Sequence, residues 1–127
     1  MSTLTFITLP GAYAICRLEA SANIPAWIAQ SAFYNISKSA DELSIICEQR
    51  YVPDDIRANR DWKLLRLEGV LDLALPGITA RFSTPLAQSG VNLCVIATYD
   101  TDYIMIKSEK LLRAQTVLRQ AGFAVAE

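Results

Sequence analysis

Short apolar runs alternate with short polar turns along the whole chain, and the second half shows this pattern most clearly. A helix is predicted there because Ile78, Phe82 and Leu86 recur every fourth residue and form one apolar stripe, which Gly90 then ends. Apolar runs bounded by polar residues predict the strands. In chain order we predict a strand at residues 63–68, a helix at 78–88, strands at 93–98 and 103–107, a helix at 108–121 and a strand at 123–126.

The first half carries the same order of elements in a shorter form. Its strands are predicted at residues 3–9, 13–19, 33–38 and 43–48, with short helices after Pro25 and over residues 53–59. Charged residues crowd positions 57–63, which marks the boundary between the two halves. We therefore expect two modules, residues 1–60 and residues 61–127.

The order strand, helix, strand, strand, helix, strand identifies the fold class. It gives an antiparallel sheet with both helices packed on one face, which is the ferredoxin-like α+β layer. The predicted architecture is therefore two ferredoxin-like βαββαβ modules, the first with much shorter helices than the second.

Composition and charge exclude several functions. The net charge is −1 and acidic and basic residues are interspersed, so the chain lacks the clustered basic face that binding of nucleic acid needs. Histidine is absent, which excludes a histidine general base. Cys16, Cys47 and Cys94 are widely spaced in apolar runs, and we expect buried reduced thiols without a metal or a cofactor.

The amino-terminal segment resembles neither a secretory leader nor a lipoprotein leader. It has no basic region at its start, and Pro10 and Gly11 interrupt its apolar stretch before Arg17 follows. No other apolar run approaches the length that spans a membrane. We expect a cytoplasmic protein that does not enter a membrane.

The segment at residues 98–102, sequence TYDTD, places two carboxylates and two threonines between apolar strands. Asp100 and Asp102 could act as paired carboxylates in glycoside hydrolysis, but the sequence shows no supporting sugar-sized cleft. They could bind Mg²⁺ or Ca²⁺, with Asp72 as the one further candidate ligand. They could also form a hairpin turn, because Asp and Thr side chains bond their own backbone in tight turns.

A second feature, the sequence LPGI at residues 75–78, bears on that choice. Gly77 allows an unusual backbone φ, and residues 78–80 then present free N–H groups at the start of a helix, where a carboxylate can bind. The alternative is an ordinary helix start. An α-amino acid needs N–H donors for its carboxylate and an anionic partner for its ammonium group. Asp100 or Asp102 could supply that partner, with Thr98 and Thr101 as neutral partners.

The stretch GITARFSTPLAQSGVNLCVIATYDTDYIMIK, residues 77–107, resembles an ACT domain. TYDTDYIMI, together with DELSII at residues 41–46, is similar to a compact bacterial group with two ACT-like modules in one chain. These modules are akin to those of aspartate kinases and cytosolic arginine sensors. The resemblance implies binding of an amino acid, with the loop before the first helix contacting the effector. Glu42 and Ser44 would line a second wall of the site if the modules pack side by side.

Taken together, these observations predict a non-enzymatic regulatory protein that holds an amino acid between modules or subunits. The expected ligand-binding residues are Asp72, Gly77, Ile78, Thr98, Asp100, Thr101, Asp102, Glu42 and Ser44. We also expect a homodimer, because small ferredoxin-like sheets leave strand edges exposed. Two other interpretations remain: a protein-interaction module without a small ligand, and a small enzyme that uses the aspartate pair.

Overall fold

A computed structural model describes residues 3–72 and 74–127. The chain forms two compact units, the N-terminal unit (Gly11–Trp62) and the C-terminal unit, which joins the residues up to Pro10 with Lys63–Glu127. In chain order the elements are β1 (Thr5–Thr8), β2 (Tyr13–Leu18), a 3₁₀ helix (Ala26–Gln30), β3 (Asn35–Lys38), β4 (Leu43–Glu48), a 3₁₀ helix (Gln49–Tyr51), β5 (Ala58–Leu67), α1 (Ile78–Gln88), β6 (Cys94–Ala97), β7 (Asp102–Lys107), a 3₁₀ helix (Ser108–Lys110), α2 (Leu111–Gln120) and β8 (Ala124–Ala126).

The N-terminal unit is a ferredoxin-like module in which 3₁₀ helices replace the α-helices. Its strands lie in the order β5-β2-β4-β3, and each neighbouring pair is antiparallel. Residues alternate between the two faces of these strands, so the buried positions of β2 and β4 form one apolar side. Its core consists of Ala14, Cys16, Ile28, Leu43, Ile45, Cys47 and Val52.

The C-terminal unit has the strand order β8-β1-β5-β7-β6, with β1 inserted into the ferredoxin-like arrangement. β1 is antiparallel to β5 and parallel to β8, so that Phe6 lies opposite both Leu67 and Val125. Buried residues of α1 and α2 pack with buried strand residues on one side of this sheet. The core is Phe6, Leu65, Leu67, Phe82, Leu86, Val91, Ile104, Ile106, Ala114, Val117, Leu118 and Phe123.

The structure confirms the ferredoxin-like α+β prediction and modifies it in two places. The predicted boundary placed residues 1–10 in the first module, whereas pairing of β1 with β5 and β8 groups them with the C-terminal unit. The helix predicted at residues 53–59 is wrong, because the chain turns there and β5 begins at Ala58. The acidic residues at positions 54 and 55 belong to that turn.

Candidate functional site

The loop before α1 and the start of β7 enclose an open cavity of about 330 Å³ in the C-terminal unit. Four of the predicted site residues line this cavity. Its lining is Leu71, Asp72, Leu75, Gly77, Ile78, Thr79, Ala80 and Asp102. The cavity therefore combines an apolar wall, two carboxylates and the first turn of a helix.

The first turn of α1 presents backbone donors to this cavity. Gly77 precedes the helix with φ of 85°, a left-handed conformation that glycine adopts without the penalty of a Cβ atom. No side-chain oxygen caps α1, and the N–H of Arg81 donates to the carbonyl of Gly77 at 3.1 Å. The N–H groups of Ile78, Thr79 and Ala80 precede that bond and have no partner within the helix. These N–H groups form a site where an anion can bind, and the positive end of the helix dipole strengthens that binding.

The loop is held against the turn between β6 and β7. The N–H of Leu71 donates to the carbonyl of Asp100 at 2.6 Å. The buried Thr101 donates its hydroxyl to the carbonyl of Leu67 at 2.5 Å, at the end of β5. These two bonds join the wall of the cavity to the start of β7, so the position of Asp102 relative to α1 is fixed by both.

The two threonines are occupied by the turn itself. Thr98 accepts from the N–H of Thr101 through its hydroxyl oxygen, and donates the same hydroxyl to the carbonyl of Thr101 at 2.8 Å. The backbone N–H of Thr98 donates to that carbonyl as well, at 2.9 Å. Thr98, Asp100 and Thr101 are not among the residues that line the cavity. Their observed contacts build the turn.

The two aspartates of the cavity differ in their surroundings. Asp102 begins β7 opposite Ala97 and is half-buried. It lies two and four residues before the buried core residues Ile104 and Ile106, so it shares their face of the strand. Asp72 is exposed, and its Oδ1 accepts from the N–H of Ala74 at 2.9 Å. Asp102 is therefore the better placed partner for a cation next to the start of α1.

The hairpin between β3 and β4 lies in the N-terminal unit and contributes nothing to the lining of this cavity. Glu42 accepts from the N–H of Ser39 through its carbonyl oxygen at 3.0 Å, while its own N–H donates to the Ser39 hydroxyl at 3.2 Å. Ser44 lies in β4 between Ser37 of β3 and Arg17 of β2. The observed contacts of this hairpin are those of a tight turn.

The cysteines occupy apolar surroundings. Cys16 and Cys47 lie diagonally across β2 and β4, since Cys16 faces Ile45 and Cys47 faces Ala14. The Cys47 thiol donates to Cys16, which lowers the pKa of Cys16 and raises that of Cys47. Burial raises the pKa of Cys94. All three are free thiols.

Within residues 3–72 and 74–127, no group of three or more Cys, Asp or Glu side chains is placed to hold a metal ion. The described helices are also too short or too polar to cross a membrane.

Sequence reasoning named the N–H groups of residues 78–80 and placed Leu75 in the LPGI motif, but it did not identify Leu71, or the side chain of Leu75, as part of the lining. Leu71 depends on its bond to Asp100 across the unit, and no local signal indicates that contact.

The comparison with protein families decides the identity of the fold. The ACT domain model matches residues 57–120, and a model for an N-terminal domain family matches residues 11–55. The chain belongs to the ACT domain family. No curated protein matches this ACT-domain chain.

Three solved structures extend this result. A protein from Agobacterium tumefaciens is 31% identical over 98% of this chain and 93% of its own length, with a TM-score of 0.92. A Vibrio cholerae protein of unknown function, described as a possible transport protein, is 21% identical over 94% of this chain and 91% of its own, with a TM-score of 0.78. The regulatory subunit of aspartate kinase from Thermus thermophilus is 12% identical over 87% and 91%, with a TM-score of 0.60. The last two show the fold alone.

ACT domains are typically non-catalytic modules that regulate through small molecules. Membership of the family therefore indicates regulatory binding of a small molecule as the general role of this chain.

Proposed function

We propose that this ACT-domain protein is a non-enzymatic regulator that binds a free amino acid in the cavity at the start of α1. One observation carries the proposal. The unpaired N–H groups of the first helical turn and the carboxylate of Asp102 line the same cavity, so both charged groups of an α-amino acid find complementary partners there.

The carboxylate of the ligand accepts hydrogen bonds from the N–H groups of Ile78, Thr79 and Ala80. Gly77 matters because its left-handed φ turns the chain into the helix without placing a side chain over these donors. A Cβ atom built at Gly77 meets no atom within 4 Å, so the approach to the helix start is open.

The ammonium group of the ligand pairs with Asp102, and the exposed Asp72 adds a second negative charge at the rim. Leu71, Leu75 and Ile78 contact the side chain of the ligand. In this proposal Thr98, Asp100 and Thr101 hold the turn that positions Asp102, and Glu42 and Ser44 have no part in this cavity.

In this proposal the regulatory step is a change in how two subunits are arranged. The ligand is held where one subunit meets another in a cytoplasmic homodimer, and exposed apolar side chains in the loop before α1 and in the turn before β7 support this. Val70, Leu75 and Tyr99 are 77%, 57% and 87% exposed, and exposed apolar side chains that lie together mark interaction surfaces. A ligand that binds better to one arrangement of the subunits shifts the population toward it, and a partner protein can respond to that shift.

The test is isothermal titration of the purified protein with each of the twenty common amino acids, followed by three variants. Removing the Asp102 carboxylate in Asp102→Asn weakens binding about 10- to 150-fold, the effect of a hydrogen bond to a charged group. Asp102→Ala gives a loss at least as large.

The matched control is Asp100→Ala, which removes a carboxylate two residues away but keeps the backbone carbonyl that Leu71 contacts. We expect it to retain the affinity of the parent protein within about threefold, because Asp100 is not among the residues that line the cavity. A threefold change is well below the tenfold change that corresponds to about 1.4 kcal/mol of binding free energy. Equal losses in Asp100→Ala and Asp102→Asn would show that the ammonium group is not bound at Asp102.

A further inference from the structure

The charged side chains that line the cavity at the start of α1 are all acidic. They are Asp72 and Asp102, and in the part of the chain that the structure describes neither forms an ion pair. Arg81 follows the last lining residue of α1, but its guanidinium lies over the Phe123 ring, 5.1 Å from the ring centroid. The described lining therefore holds two negative charges and no cationic side chain.

An amino acid with a neutral side chain leaves one of these charges unmatched. Its carboxylate lies against the N–H groups at the start of α1 and its ammonium group pairs with Asp102, so Asp72 keeps no partner. An acidic side chain would add a third negative charge to the same cavity, and like charges at short distance repel. A positively charged side chain gives every charged group of the cavity a partner of opposite sign.

The apolar wall of the cavity leads to the unmatched carboxylate. Leu71 and Leu75 flank Asp72 in the loop before α1, and all three line the cavity. Asp72 is exposed, and its Oδ1 accepts from the N–H of Ala74 at 2.9 Å, which holds the carboxylate at the rim. Lysine and arginine side chains lay a methylene stem along apolar surface and keep a charged end in water. Their shape matches a wall of leucines that ends at an exposed carboxylate.

We propose that Asp72 determines the specificity of this cavity, and that the ligand is a dibasic amino acid whose aliphatic side chain ends in an ammonium or guanidinium group. This inference rests on the proposed function, because it concerns the same cavity. The α-carboxylate binds at the start of α1, the α-ammonium group at Asp102 and the side-chain cation at Asp72. Since the pair at Asp72 stays in contact with water, it raises the affinity by only about two- to fivefold.

Two pairs of ligands that differ in side-chain charge test the role of Asp72. Norleucine is lysine without its side-chain ammonium group, and citrulline is close in shape to arginine but neutral. Isothermal titration of the parent protein gives tighter binding of the charged member in at least one pair. In Asp72→Asn we expect the affinity for that charged ligand to fall about two- to fivefold and the affinity for its neutral counterpart to stay unchanged.

Two features of the chain make this comparison clean. Asparagine at position 72 keeps an oxygen that can accept from the Ala74 N–H, so the loop retains that bond. Glu68→Gln is the matched control, because it removes an exposed carboxylate at the start of the same loop that does not line the cavity. We expect Glu68→Gln to leave the affinities for both members of the pair unchanged.

The possible failures of this inference and of the proposed function are distinguishable. If Asp102→Asn weakens the binding of an amino acid but the neutral member of each pair binds as tightly as the charged one, the cavity binds amino acids without this selectivity and the inference is wrong. Equal effects of Asp72→Asn on both members of a pair would overturn it as well. If none of these ligands and none of the twenty common amino acids binds, the proposed function fails and this inference fails with it.

Discussion

The hydroxyl of Thr101 connects the turn before β7 to the end of β5, and its removal gives a sharp test of how the site is held. Thr101→Val keeps the shape of the side chain but deletes the donor to the carbonyl of Leu67 at 2.5 Å. Thr101 is 6% exposed, so water does not readily replace that donor. Leaving a buried acceptor without its partner costs about 1–3 kcal/mol of unfolding free energy.

This cost is measurable by urea and thermal denaturation. For a chain of this size each kcal/mol lowers the melting temperature by about 3–5 °C, so the variant melts roughly 3–15 °C below the parent. The loop wall of the cavity depends on the same turn, and we therefore expect weaker ligand binding as well.

Thr98→Val is the matched control, because its hydroxyl acts within the same turn but the residue is half-exposed. Water can replace the bond that it loses, and we expect a cost of about 0.5–1.5 kcal/mol. A Thr101→Val variant that is as stable as the parent, or less affected than Thr98→Val, would refute the structural role given to the Thr101 hydroxyl.

Three further predictions concern backbone strain, a buried carboxylate and a thiol. Gly77→Ala lowers the free energy of unfolding by about 1–2 kcal/mol, because alanine is unfavourable at the left-handed φ of 85°, and it also weakens ligand binding. Gly11 has a similar φ, so Gly11→Ala lowers stability but leaves ligand binding unchanged. Calorimetry measures stability and ligand affinity separately. Glu48→Ala removes the carboxylate that accepts from the Ala32 N–H at 2.6 Å, and it lowers the free energy of unfolding, measured by chemical denaturation, by about 1–3 kcal/mol. Glu48→Gln lowers it less, because the glutamine side chain can keep an acceptor there. Burial raises the pKa of Cys94, so its alkylation, followed by mass spectrometry of peptides, has its pH midpoint above that of a free cysteine; an equal or lower midpoint contradicts this.

The sequence predicts those elements whose signal is local. The four-residue spacing of Ile78, Phe82 and Leu86 placed α1 at its observed bounds, because that stripe is the face that packs on the sheet. The 3₁₀ helix Gln49–Tyr51 was not predicted, since three residues are too few to show a periodic pattern. The pairing of β1 with β5 and β8 could not be predicted, because it joins residues far apart in the chain.

The same distinction applies to the candidate site. Gly77 and Ile78 could be proposed from the helix-start motif, and Asp102 from its place beside a strand. The spacing of Thr98 and Thr101 was compatible both with a turn and with ligand contacts, and only their observed hydrogen bonds show the turn. The contact between Leu71 and Asp100 depends on tertiary packing, so it could not be predicted from either segment alone.

The central claim is that the cavity at the start of α1 binds a free amino acid, and thermal unfolding of the parent protein with each amino acid in turn tests it most directly. A ligand at one hundred times its dissociation constant adds about 2.7 kcal/mol to the unfolding free energy, which raises the melting temperature by several degrees. We predict that one amino acid, or a few of related chemistry, gives this increase and that Asp102→Asn reduces it. An unchanged melting temperature with all twenty at millimolar concentration would contradict the claim and favour a protein-interaction module without a small ligand.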